Sequence, residues 1–127
     1  MLIKPFAPSI LREKVSQYLV NPKNYFSPYM MLAFDTTELA QKEIGAAIHP
    51  RDKTARAQIV DKIMNPEYWN LINEFYKITG TPCILNTSFN LHGYPLVYNL
   101  DDAIKVFINS GLNYLVVEDF IIKKVCG

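Results

Sequence analysis

A mixed α/β fold is predicted by three features of this 127-residue chain. Two helical patterns carry their own start and stop signals, from Asn65-Pro66-Glu67 to Gly80 and from Asn99 to Gly111. Short apolar runs of strand length alternate with them. One such run, Cys83-Ile84-Leu85, ends in Asn86-Thr87-Ser88-Phe89-Asn90, the densest polar cluster beside apolar core in the chain. Strand ends are where α/β sheets place ligand chemistry. The expected architecture is a twisted mixed sheet with flanking helices, and the length fits a single domain over residues 1–127.

The elements follow in order. Ser9 is a candidate N-cap for a helix from Ile10 to about Leu19, with Leu11, Val15, Tyr18 and Leu19 on one face. Asn21-Pro22-Lys23-Asn24 stops it. Tyr29 to Phe34 reads as a strand, and Thr36-Thr37-Glu38 caps a short helix through Lys42. Ile44 to Ile48 and Thr54 to Val60 read as strands around the turn Pro50-Arg51-Asp52-Lys53. Period two puts Arg56 and Gln58 on one side of the second. In the helix after Asn65, Tyr68, Leu71, Ile72 and Phe75 form the apolar face, and Pro82 to Leu85 is the next strand. Gly93-Tyr94-Pro95 turns the chain towards the last helix, which turns Ala103, Ile104 and Phe107 inward. Leu112–Val117 and Phe120–Val125 close as an antiparallel pair about Asp119.

Composition narrows the function. A formal net charge of +1 argues against a broad nucleic-acid footprint but not against one small anion. No apolar run reaches membrane-spanning length, and no signal segment opens the chain. The two cysteines, Cys83 and Cys126, lack metal or redox spacing. A buried thiol at Cys83 and a reducing, cytoplasmic setting fit best.

Two constellations can carry chemistry. Arg56 presents a planar, permanently charged fork for phosphate or carboxylate, with Gln58 beside it and His49 and Thr54 upstream. The alternative is a surface ion pair with an acid such as Asp52. The second is Asn86 to Asn90. In extended geometry Ser88 and Asn90 point one way, while Thr87 and Phe89 point the other, where Phe89 can pack. A loop closed by its own Asn, Thr and Ser side chains fits the same letters. His49 and His92 make no convincing metal set. There is no Gly-rich phosphate loop, so phosphate binding falls to side chains.

Several blocks occur in one order: Pro5-Phe6-Ala7-Pro8-Ser9, Ser27-Pro28-Tyr29-Met30, Asp52-x-Thr54-Ala55-Arg56-x-Gln58, the Asn65-Pro66 helix ending at Thr79-Gly80, Asn86-Thr87-Ser88-Phe89-Asn90, and Gly93-x-Pro95-Leu96-Val97. Together they resemble the C-terminal domain of the NodU/CmcH carbamoyltransferase family, which O-carbamoylates nodulation factors and antibiotics. The resemblance implies a YrdC-like fold that binds ATP and carbamoyl phosphate and forms a carbamoyl-adenylate. It implies Mg²⁺ with the ATP, held mainly by phosphates, and an N-terminal actin/hexokinase-like domain that passes the carbamoyl group to an acceptor hydroxyl. It assigns Arg56 and Ser88 to catalysis. It assigns Lys4, His49, Thr54, Arg56, Gln58, Asn86, Thr87, Ser88 and Asn90 to substrate and nucleotide binding. Against the family pattern, Lys53 replaces a common Gly, Tyr94 a frequent Glu, and Lys4 a usual Arg. The expectation is a fragment of a two-domain enzyme, inactive alone for full transfer. The alternative is a non-catalytic nucleotide-binding or docking module. No nucleic acid and no membrane are expected as partners.

Overall fold

The computed structural model describes residues 6–125, so Lys4 and Cys126 lie outside the described residues. The chain forms two compact units, one ending at Thr87 and one beginning at Ser88. Secondary structure is mixed, with helix and strand in both.

In the first unit, β1 (Ala7–Leu11) is the centre of a three-stranded sheet in the order β5-β1-β6. It runs parallel to β5 (Gln58–Val60), pairing Ser9 with Gln58, and antiparallel to β6 (Cys83–Asn86), pairing Ala7 with Asn86. The start of β1, the start of β5 and the end of β6 therefore share one sheet edge. A second small sheet joins β2 (Leu19–Val20), β3 (Phe34–Thr36) and β4 (Thr54–Ala55). The single continuous sheet expected from the sequence is thus divided into small ones.

Alternation along β1 sorts its side chains between two cores. Ile10 joins Ile59 and Cys83 with Tyr18, Leu19, Phe34 and Ala55 in one cluster. Leu11 joins Val60 and Ile84 against Ile72, Tyr68, Trp69 and Tyr76 of α3 (Pro66–Thr79) in the other. The start and stop signals of α3 act as read: Asn65 caps it by accepting from the Tyr68 amide, and Gly80 closes it at φ 78°. Its buried stripe differs from the expected one. Ile72 is fully buried with Tyr68, Trp69 and Tyr76 around it, while Leu71 and Phe75 are exposed. The i, i+4, i+8 row through Tyr68 decides which side faces the sheet.

Other expectations are corrected. Ser9 does not cap a helix; Ile10 and Leu11 are strand, and only Val15–Tyr18 (α1) is α-helical after a short 3₁₀ turn at Arg12–Lys14. Ile10 and Leu11 are buried on opposite faces of a central strand, and that burial overrides the helical periodicity. Tyr29 to Ala33 is turn and coil, with Tyr29 and Met31 exposed. Ile44 to Ile48 holds a 3₁₀ turn, Gly45–Ala47, following α2 (Glu38–Glu43). Thr37 caps α2 as expected, its hydroxyl accepting from Ala40.

In the second unit, α4 (Leu100–Asn109) starts at Asn99, whose side chain accepts from the Asp102 amide. Its Ala103 and Phe107 pack with Leu115 of the antiparallel hairpin β7 (Tyr114–Val117) and β8 (Phe120–Lys123). Phe89 joins that core as expected of a packing residue. No helix among the described residues is long and apolar enough to cross a membrane.

Candidate functional site

Arg56 and Gln58 do not share one strand. The run Thr54 to Val60 is split: Thr54–Ala55 belongs to the β2-β3-β4 sheet and Gln58–Val60 to the β5-β1-β6 sheet. Arg56 and Ala57 bridge the two. Ala55 and Ala57 are buried and pin the backbone, and Arg56 between them is exposed. Among the described residues no carboxylate pairs with Arg56. The ion pair with Asp52 considered from the sequence is not formed. Arg12, by contrast, holds Asp61 at 2.7 Å, and this bond keeps the Asp61 carboxyl below the usual range.

Arg56 lines a cavity of about 250 Å³ with Ala7, His49, Asp52, Thr54 and Ala55. The local turn sets up this wall. The Thr54 amide and hydroxyl both donate to Asp52 Oδ1, at 3.0 and 2.8 Å, and these bonds lower the Asp52 pKa. His49 Nδ1 sits 3.0 Å from the same oxygen. The backbone closes between His49 and Thr54 through two further hydrogen bonds, His49 N to Thr54 O and Lys53 N to His49 O. Lys53 occupies the left-handed region at φ 58°, which glycine adopts freely and other residues adopt at a cost. That is the physical reason a Gly suits this position.

Gln58 and Asn86 meet across β1, at the sheet edge. Asn86 Nδ2 donates to Gln58 Oε1 at 2.9 Å and to Ser9 Oγ at 3.3 Å. Ser9 Oγ donates to Gln58 Oε1 at 2.9 Å, and the Tyr68 hydroxyl, from α3, donates to Ser9 Oγ at 2.9 Å. Ser9 is fully buried. The network thus ties three strands and a helix, and satisfies a hydroxyl that would otherwise cost about 1–3 kcal/mol to bury. From sequence, Ser9 reads as a helix cap and Tyr68 as a core residue. The signal for their second role was present only in the pairing of strands 49 residues apart.

Asn86 and Thr87 end the first unit, and Ser88 to Asn90 begin the second. Residues 87–90 are not strand, so strand alternation does not set the directions of Ser88 and Asn90. Thr87 and Ser88 are exposed. Asn90 Nδ2 donates to Tyr94 O at 2.8 Å and to Leu91 O at 3.2 Å, closing the turn around Gly93 at φ 83°. The loop reading thus holds for Asn90. His92 is exposed in that turn. Cys83 is buried and free, and burial raises its thiol to about 12, which keeps it protonated and inert.

Residues 2–124 match the family described as Carbamoyltransferase C-terminus. The chain belongs to this family. It is 42% identical over 95% of its length to an uncharacterised protein of Methanocaldococcus jannaschii. It is 40% identical to nodulation protein NolO of Bradyrhizobium diazoefficiens and 39% to nodulation protein NolNO of Sinorhizobium fredii, again over 95% of this chain. The chain spans only 18–23% of the length of these relatives.

Proposed function

We propose that this chain binds carbamoyl phosphate and ATP and supports formation of a carbamoyl-adenylate. A YrdC-like fold is part of the same reading. The observation that carries it is Arg56, an arginine free of carboxylates among the described residues, at a cavity walled by Thr54 and His49, in a chain of this family.

The chemistry asks for charge neutralisation and alignment more than for covalent help. Carbamoyl phosphate first loses its phosphoryl group to water as inorganic phosphate and leaves carbamate. A carbamate oxygen then forms a bond to the α-phosphorus of ATP. The bond from that phosphorus to the bridging oxygen breaks, and pyrophosphate departs. Arg56 would hold phosphate oxygens bidentately through this change. Thr54 and His49 would add hydrogen bonds at the cavity wall, and Thr87 would supply a hydroxyl to phosphate or carbamoyl atoms. Mg²⁺ enters with ATP as part of the substrate. Passage of the carbamoyl group to an acceptor hydroxyl would fall to an N-terminal domain of the longer protein, in keeping with the length of the relatives.

Calorimetric titration tests this. Carbamoyl phosphate and ATP should each give saturable heat, and Arg56→Ala should lose it. An Arg56→Ala variant that binds both ligands as the parent does would remove Arg56 from the site.

A further inference from the structure

We propose that Gln58 and Asn86 form a carbamoyl-reading pair, and that Ser9 and Tyr68 are the positioning residues that hold the two amides together. The proposal rests on the carbamoyl phosphate reading above and adds what recognises the carbamoyl end.

Ser9 Oγ has one donor and two acceptor sites. It donates to Gln58 Oε1 and accepts from Tyr68 Oη and Asn86 Nδ2, so it is saturated. Gln58 Oε1 takes two donors, from Ser9 and Asn86. Asn86 Nδ2 gives both of its hydrogens, to Ser9 and Gln58. Among the described residues nothing then engages Gln58 Nε2, which keeps two N–H donors. Nothing engages Asn86 Oδ1, which keeps its lone pairs. Both side chains are half-buried, whereas Ser9 behind them is fully enclosed. The unused atoms are therefore one donor and one acceptor, side by side on two amides bonded to each other.

That pattern is self-enforcing. Two amides joined by one N–H···O bond must leave one nitrogen and one oxygen over. Exchanging oxygen and nitrogen in both amides at once keeps the bond and only swaps the two outward atoms. A phosphate offers acceptors alone, and matches half of such a pair. A carbamoyl group offers a carbonyl oxygen and an N–H₂ a short distance apart, and matches both halves. An acetyl group keeps the carbonyl and replaces the N–H₂ with a methyl, which leaves the protein acceptor unpaired.

The experiment compares carbamoyl phosphate with acetyl phosphate by calorimetry on the full chain. The parent should favour carbamoyl phosphate about tenfold, within the span expected for one unpaired polar group. Asn86→Ala should bring that ratio towards one. Tyr68→Phe, which removes one oxygen at a half-buried position, should lower the ratio about threefold and leave the ATP affinity unchanged. A purely structural role for Tyr68 would shift thermal stability without moving the ratio. A parent that binds both phosphates equally, or a ratio unmoved in both Asn86→Ala and Tyr68→Phe, overturns the proposal. If those variants keep the ratio while Arg56→Ala loses binding, only the carbamoyl-reading pair falls. If the parent binds neither phosphate, the underlying reading falls with it.

Discussion

Arg56 and Gln58 stand two residues apart and are held in opposite ways. Gln58 is at the start of a strand, half-buried, with its carbonyl fixed by Ser9 and Asn86. Arg56 lies in the joint between two sheets, exposed, with no carboxylate bound among the described residues. The first arrangement fixes the direction of a neutral hydrogen bond. The second keeps a full charge available. An anion needs the charge, which tolerates variation in distance, while a planar group needs the direction, which does not. On the proposed reading, phosphate falls to Arg56 and orientation to the sheet edge.

Removing the charge should have the largest effect. Arg56→Ala should weaken carbamoyl phosphate and ATP binding by roughly 2–3 kcal/mol, the scale of charge-assisted hydrogen bonds, with the denaturation midpoint nearly unchanged. Titration and a urea melt on the same sample separate the two. Ser9→Ala should do the reverse. It leaves Gln58, Asn86 and Tyr68 short of a shared partner in a buried place, and should cost about 1–3 kcal/mol of stability by urea denaturation.

A third comparison uses pH. Burial holds the Cys83 thiol protonated up to about 12, while an unfolded thiol ionises near ~8.5. At neutral pH both states keep the proton and the group is silent. Above the unfolded value the unfolded chain alone releases it, so stability falls as pH rises. Between pH 7 and 9.5 this amounts to about 1.4 kcal/mol, and Cys83→Ala should lack that part of the slope. The smallest effect is at the turn beside Arg56. Lys53→Gly relieves a left-handed residue at φ 58° and should raise stability by about 0.5 kcal/mol, the steric relief less the added chain entropy. Arg56 should bind as before.

Local chemistry made part of this legible in the sequence. Asn65-Pro66 and Gly80 mark α3, Thr37 and Asn99 mark the two other capped helices, and the closing hairpin is legible in its two apolar runs and the turn at Asp119. Those signals act within a few residues. What the sequence hid was settled by partners far away. Ile10 and Leu11 have helical spacing, yet β5 and β6 on either side make them strand. Thr54 to Val60 alternates as one strand, yet Ala55 and Ala57 are buried where two sheets meet, and the strand breaks at Arg56. Within the candidate site, the residue types around Arg56 and Asn86 were readable. The part of Ser9 and Tyr68 was not, because it depends on which strands lie side by side.

The most direct test is to locate carbamoyl phosphate on the protein by backbone-amide NMR. A larger cavity, about 590 Å³, lies elsewhere in the first unit beside Arg12, Asn21, Tyr25 and Phe26 and offers a clear competitor. Titration should move the amides of His49, Thr54, Arg56, Gln58 and Asn86 with one common saturation curve, and leave those of Asn21 and Phe26 in place. Shifts confined to Asn21, Tyr25 and Phe26, or no saturable shift at Arg56, would contradict the assignment.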